Sequence, residues 1–130
     1  MNSSSIGSRT EGIVLAALLR AGKKILLPFG DGHRYDLAMD EGGRLVRVQC
    51  KTGVYKQGSI VWNTNSHKRD HTRMGYRGDA DLFGVYCPAI DKVYLVPVDE
   101  VGENEGRLRI EPSRNNQEKR VRWARDYEVA

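Results

Sequence analysis

Between Arg34 and Thr52 apolar and polar residues alternate in two runs that meet at Glu41-Gly42-Gly43-Arg44. Alternation with a period of two predicts half-buried strands, and a pair of glycines between two such runs predicts a tight two-residue hairpin loop. With Gly42-Gly43 as that loop, facing residue numbers sum to 85, which sets Tyr35 against Cys50, Leu37 against Val48 and Met39 against Val46 on one apolar face. The same register sets Asp36 against Gln49, 13 positions away, and Arg34 against Lys51, on a polar face.

Elsewhere the pattern is simpler. Apolar periodicity without proline predicts a helix over Ser8–Ala21, ended by Gly22. Lys24–Pro28 reads as a short strand and Phe29–His33 as a turn, followed by the hairpin strands Arg34–Glu41 and Arg44–Thr52 and then a polar connector. Ile60–Thr64, Leu82–Cys87, Lys92–Val96 and Arg107–Ile110 have strand character, and Pro97 marks a strand end. Asn65–Gly78 has no clear apolar period and is expected to be a loop or a short irregular helix. The tail Gln117–Tyr127 is expected to be helical, anchored by Trp123 and Tyr127 four positions apart. With no repeat or linker in 130 residues, residues 1–130 are expected to form one α/β or α+β domain around a single sheet.

Composition narrows the class. The longest apolar run, Ile13–Leu19, falls well short of the roughly 18 residues a membrane span needs, and the N-terminus has no basic segment leading into an apolar one. A cytoplasmic protein with no membrane partner is therefore expected. Cys50 and Cys87 lie in strand patterns that predict buried thiols. Net charge is only +4, yet Arg44–Arg77 holds eight basic residues against Asp70 alone, a local balance of 8 − 1 = +7. That concentration suits a nucleic acid backbone, so DNA is the expected partner. Lys68, Arg69, His71, Arg73, Tyr76 and Arg77 are the candidates to grip it, since arginines read guanine edges and lysine adds salt-dependent affinity. His67-x-x-x-His71 is a poor zinc signal, because no CxxC accompanies it.

Asp36, Gln49 and Lys51 are the candidates for chemistry. A hard divalent cation takes oxygen ligands, and a neighbouring ammonium steadies an attacking hydroxide or a phosphate oxygen. Arg34, facing Lys51, is placed either to stabilise phosphate charge or to neutralise Asp36. Asp79 and Asp81, just before a strand, read as turn formers or caps. Two roles compete for Glu11. Ser8-x-x-Glu11 fits a capping box at the helix start. If the helix begins nearer Ser4 or Ser5, Glu11 instead shares a stripe with Gly7, Val14, Leu15 and Leu18, where a carboxylate needs a partner such as a metal held by Asp36.

Asp36 followed by Gln49-Cys50-Lys51 resembles the core of the PD-(D/E)XK nuclease superfamily. The blocks Gly7-x-x-x-Glu11, Pro28-Phe29-Gly30, Val48-Gln49-Cys50-Lys51-Thr52, Tyr76-Arg77-Gly78-Asp79, Asp81–Tyr86 and Lys92–Val98 resemble, in order, the branch containing homing endonucleases encoded in group I introns. The resemblance implies an α/β restriction endonuclease-like core, a mixed sheet of four or more strands flanked by helices, and a Mg²⁺-dependent phosphodiesterase site in which Mn²⁺ substitutes. It makes Asp36 the central metal ligand, Glu11 a supporting carboxylate and Gln49 the occupant of the second acidic position. The carbonyl of Cys50 completes the metal shell, and Lys51 orients or activates the water. The chain departs from the pattern at Gln49, which is neutral, and at Tyr35, where the motif has proline. Double-stranded or branched DNA is the implied substrate, and cutting both strands implies a homodimer or homotetramer. The rival functions are a Holliday junction resolvase, a repair or restriction-type nuclease, and a noncatalytic DNA-binding module of the same fold.

Overall fold

Helix α1 runs over Ser3–Arg20 in a computed structural model that describes residues 3–67, 73–112, 115 and 120–129. It begins five residues before Ser8, so Ser8 lies inside the helix and the capping-box role for Glu11 is excluded. Gly22, at φ 84°, ends it: Gly22 N–H donates to Leu19 O and Lys23 N–H to Leu18 O, both at 3.0 Å, the paired bonds of a Schellman motif. Val14 and Leu18 are fully buried, each worth roughly 1.5–3 kcal/mol of apolar burial, while Glu11, three and seven positions before them on the same side of the helix, is exposed.

The helix packs on a five-stranded mixed sheet. Its strands are β1 (Lys24–Leu26), β2 (Leu37–Glu41), β3 (Arg44–Thr52), β8 (Leu82–Cys87) and β9 (Lys92–Pro97), in that spatial order. β3 and β8 are parallel, and the other neighbours are antiparallel. The β2–β3 register pairs Leu37 with Val48, Met39 with Val46 and Glu41 with Arg44 around Gly42-Gly43, whose φ values of 65° and 92° are those of a type I′ turn. Leu37, Met39, Val48 and Cys50 meet Val14 and Leu18 in one apolar cluster. Gly84 lets the helix approach: a Cβ there would lie 2.9 Å from Val14 Cγ1 and 3.0 Å from Val48 Cγ1.

A second core, built around Phe83, Val85, Ile60, Trp62, Tyr94 and Leu108, fills the opposite side of the sheet. It is covered by a three-stranded sheet of β4 (Val54–Lys56), β5 (Ser59–Asn63) and β10 (Glu105–Arg109), in the order β10-β5-β4. The connector after Thr52 therefore holds a strand that three alternating residues are too few to announce. Asn65–Gly78, expected to be loop or helix, instead starts and ends a two-stranded ribbon of β6 (Asn65–His67) and β7 (Arg73–Gly75). The tail departs from a helix as well. Between residues 120 and 129 it makes a single 3₁₀ turn, Ala124–Asp126, flanked by bridges from Trp123 to Arg109 and from Glu128 to Tyr94. α1 is the one α-helix among the described residues, and no helix there is long and apolar enough to cross a membrane.

Candidate active site

The hairpin ladder stops one residue short of Asp36. β2 begins at Leu37, and the Asp36 backbone N–H donates to Val48 O at 2.8 Å, not to the facing Gln49. The Asp36 side chain then reaches past Gln49, and Oδ2 accepts the Cys50 backbone N–H at 2.8 Å. Asp36 therefore straddles Gln49 with two backbone bonds and is fixed at the point where β3 carries Gln49, Cys50 and Lys51.

Glu11 approaches from the helix. Thr10 Oγ1 and Thr52 Oγ1 are 2.6 Å apart, which ties this turn of α1 to the end of β3 and fixes which way Glu11 faces. The Glu11 carboxyl hydrogen-bonds to Asp36, and although much of the residue is open to solvent, partial burial of its carboxyl end and the Asp36 charge push it from 4.5 up to about 7. A carboxyl raised this far holds its proton through much of the range up to neutrality, so Glu11 meets Asp36 as a protonated partner below about pH 7.

Gln49 is half-buried, and its Nε2 lies 3.5 Å from the Cys50 carbonyl oxygen, which groups an amide and a backbone carbonyl beside the acidic pair. Among the described residues no three His, Cys, Asp or Glu side chains converge, so the acidic part of the site is this pair alone. Two carboxylates, an amide oxygen and a backbone carbonyl are a donor set that fits a small hard divalent cation. The Cys50 thiol is not among the donors: it is buried, and burial together with Asp36 and Glu11 pushes its titration upward, so it stays protonated. Both cysteines are free and buried.

Lys51 shares the Gln49 face of β3, but its ammonium turns toward the ribbon. Nζ donates to Asn65 O at 3.4 Å and to Tyr76 Oη at 3.3 Å, and it stands 4.7 Å from the Tyr76 ring centroid. Arg34 does not face Lys51 across a ladder, because the strand has not yet begun there. It donates to Ser66 Oγ, to Gly75 O and, at 3.4 Å, to Asp79 Oδ2, and its guanidinium lies 4.2 Å from the Tyr76 centroid. Of the two roles read for Arg34, the one that neutralises a carboxylate is directed to Asp79, with which it forms an ion pair. Asp81 likewise pairs with Arg47, so neither residue of that turn joins the acidic pair.

The expected DNA-gripping residues divide. Tyr76 is 5% exposed and packs edge-on against Phe83 at 5.7 Å, so its ring cannot stack on a base. Its aromatic character, among polar neighbours, was the one sequence signal that it belonged to the core. Arg77 is more than half exposed and lies 3.9 Å from Asp99. Arg73 opens β7. Lys68, Arg69 and His71 lie outside the described residues.

A family model described as PD-(D/E)XK endonuclease matches residues 1–130. The chain belongs to that family. Among solved structures, the bacterial homing endonuclease I-Ssp6803I superposes with a TM-score of 0.72 at 27% identity, over 98% of this chain and 89% of that one. The Holliday junction resolvase Hjc of Archaeoglobus fulgidus gives a TM-score of 0.47 at 17% identity, over 79% of this chain and 83% of that one, too slight a likeness to bear on function. No curated protein matches the chain. Family membership accords with the mixed sheet and with the place of Asp36 before a strand whose partner carries Gln49-Cys50-Lys51.

Proposed function

We propose that this chain is a divalent-metal-dependent endodeoxyribonuclease that hydrolyses phosphodiester bonds in DNA in the manner of a homing endonuclease. The observation that carries the proposal is the Glu11–Asp36 pair, two carboxyls from separate elements brought into hydrogen-bonding contact beside the Gln49 amide and the Cys50 carbonyl. Family membership and the likeness to a bacterial homing endonuclease supply the reaction class.

In this proposal Glu11, Asp36, Gln49 and the Cys50 carbonyl hold Mg²⁺, with Mn²⁺ able to replace it. When bound, such a cation activates water at neutral pH and neutralises charge on the phosphate. The neutral Gln49 weakens a two-carboxylate site less than it would a single-carboxylate one, because Glu11 supplies the second charge. Asp36 holds its orientation through the Cys50 N–H bond. The Lys51 ammonium, carried on the Gln49 face, donates to the attacking water or to a non-bridging phosphate oxygen. Arg73 and Arg77, with Lys68, Arg69 and His71 of the same stretch of sequence, contact the DNA backbone and bases. Two copies or four cut the two strands, since each chain carries one such site.

The test incubates the protein with plasmid and with four-way-junction DNA, with and without Mg²⁺, beside Asp36→Ala and Lys51→Ala. Metal-dependent nicking or cutting of duplex DNA, abolished in Asp36→Ala and reduced to a slow residual rate in Lys51→Ala, is expected. Metal-independent cleavage, or cleavage unchanged in both variants, overturns the proposal, and cleavage confined to the junction replaces it with a resolvase.

A further inference from the structure

We propose that Tyr76 is a positioning residue for Lys51, and that the base of the β6–β7 ribbon is the mount on which the active-site lysine is held. The inference rests on the nuclease reading above. It starts from a hydroxyl buried in an aromatic core: Tyr76 packs with Phe83 as a phenylalanine would, yet its Oη accepts a hydrogen bond from Lys51 Nζ at 3.3 Å. A buried tyrosine hydroxyl needs a partner, and here the partner is the ammonium the chemistry uses.

The surroundings make the mount stiff. Asn65 and Gly75 are paired across the ribbon's base, and Lys51 touches the first through Asn65 O and the residue after the second through Tyr76. Thr64 Oγ1 donates to Gly102 O at 2.6 Å, and Asn65 Nδ2 donates to Glu103 O at 3.1 Å, so buried polar groups pin the first ribbon strand to the 102–104 loop. Arg34 closes the other side. Its guanidinium lies over the Tyr76 ring and bonds to Ser66 and Gly75, one on each ribbon strand, while its backbone stands two residues before Asp36. The chain segment that delivers the carboxylate and the segment that holds the lysine are thereby joined through one aromatic ring. A long, flexible lysine loses most of its wandering when its ammonium is held at three places, by the carbonyl, the hydroxyl and the ring face.

The experiment compares the full chain with Tyr76→Phe, Tyr76→Leu, Lys51→Ala and the double variant Lys51→Ala/Tyr76→Phe. Two readouts are taken: the NMR shifts of the Lys51 ε-methylene protons, and single-turnover cleavage of duplex DNA in Mg²⁺ alongside DNA affinity. In the wild type the ε protons are expected to be shifted upfield by the Tyr76 ring, with the shift kept in Tyr76→Phe and lost in Tyr76→Leu. Tyr76→Phe is expected to slow cleavage about tenfold, the scale of one lost hydrogen bond, with DNA affinity unchanged and no further loss in the Lys51→Ala background. Lysine ε shifts at the position of an exposed side chain in the wild type overturn the inference. So does a Tyr76→Phe that cuts at the wild-type rate, or one whose loss is the same factor with and without Lys51. A wild type that fails to cut in any metal overturns the nuclease reading and this inference with it, whereas a cutting wild type with a silent Tyr76→Phe overturns this inference alone.

Discussion

Asp36 is fastened to Cys50: the carboxylate Oδ2 takes the Cys50 backbone N–H at 2.8 Å, so a side chain at the entrance of one strand completes the backbone bonding of the next. This bond leaves the Glu11 carboxyl as the close side-chain neighbour of Asp36 and turns a hairpin end into a two-carboxylate site. Because the bond is to an N–H, an amide oxygen serves it nearly as well as a carboxylate. Asp36→Asn is therefore expected to fold with its urea midpoint little changed while metal-dependent cleavage falls on the order of 10³-fold, as the loss of several kcal/mol of charge stabilisation requires. Parallel urea titrations and cleavage assays check both halves.

Metal affinity should depend on pH in a definite direction. Burial and the Asp36 charge raise Glu11 to about 7, above its ordinary 4.5, so below neutrality Glu11 carries a proton that a cation must displace. Mg²⁺ affinity is expected to rise from pH 6 to pH 8 and then level off, and calorimetric titration at each pH reads it. The metal-free fold goes the opposite way. A raised folded-state value means its stabilising contribution is complete below the unfolded value near 4.5 and is lost as pH rises through about 7. Glu11→Gln is expected to flatten both dependences and to weaken metal binding throughout.

Gly84 sets how near the turn of α1 around Val14 can come to β3. A Cβ at this position meets Val14 on the helix at 2.9 Å and Val48 on β3 at 3.0 Å, and a valine there adds two more methyls. Gly84→Val is expected to cost roughly 1–3 kcal/mol by overpacking, measured by urea denaturation, and to reduce cleavage further than Gly106→Ala does at the remote sheet of β5 and β10 when both are assayed fully folded. Equal activity in the folded Gly84→Val protein contradicts a role for helix position in the site.

Asp81 couples β3 to β8 by accepting the Arg47 backbone N–H at 2.8 Å and Arg47 Nε at 3.3 Å, while its own N–H donates to Arg47 O at 2.9 Å. Burial raises the Asp81 carboxyl, and the bonds and charge of Arg47 more than reverse that, leaving it below its ordinary value. A depressed value means stability that is present above the unfolded value and lost as pH falls through the folded one. Asp81→Asn is expected to remove about 1 kcal/mol or less at pH 7, as suits a partly exposed pair, and to shrink the difference between urea midpoints at pH 7 and pH 3.

The hairpin was readable because two constraints agree on one register: the Gly42-Gly43 turn and the alternation that buries Leu37, Met39 and Val48 together. The same logic overshot at Arg34–Asp36, where side-chain bonding replaces the ladder, a switch that alternation does not encode. Residues 65–78 were opaque for a different reason. The ribbon is short and polar, and what supports it is tertiary: Tyr76 against Phe83, and Asn65 against the 102–104 loop. Val54–Lys56 escaped notice because three residues contain too little period to detect. In the tail, Trp123 and Tyr127 have helical spacing, but the chain spends it on bridges to Arg109 and Tyr94, edges that sequence does not reveal as open. Glu11 was ambiguous only in where its helix began, and the early start at Ser3 resolves that.

The most direct test of a metal site at Glu11 and Asp36 is Mn²⁺-induced paramagnetic broadening of the backbone amide NMR spectrum. At substoichiometric Mn²⁺, selective broadening of amides around residues 11, 36 and 49–51 is expected, abolished in Asp36→Asn and competed away by Mg²⁺. Uniform broadening, or the same pattern in Asp36→Asn, contradicts the assignment of these carboxyls as the metal site.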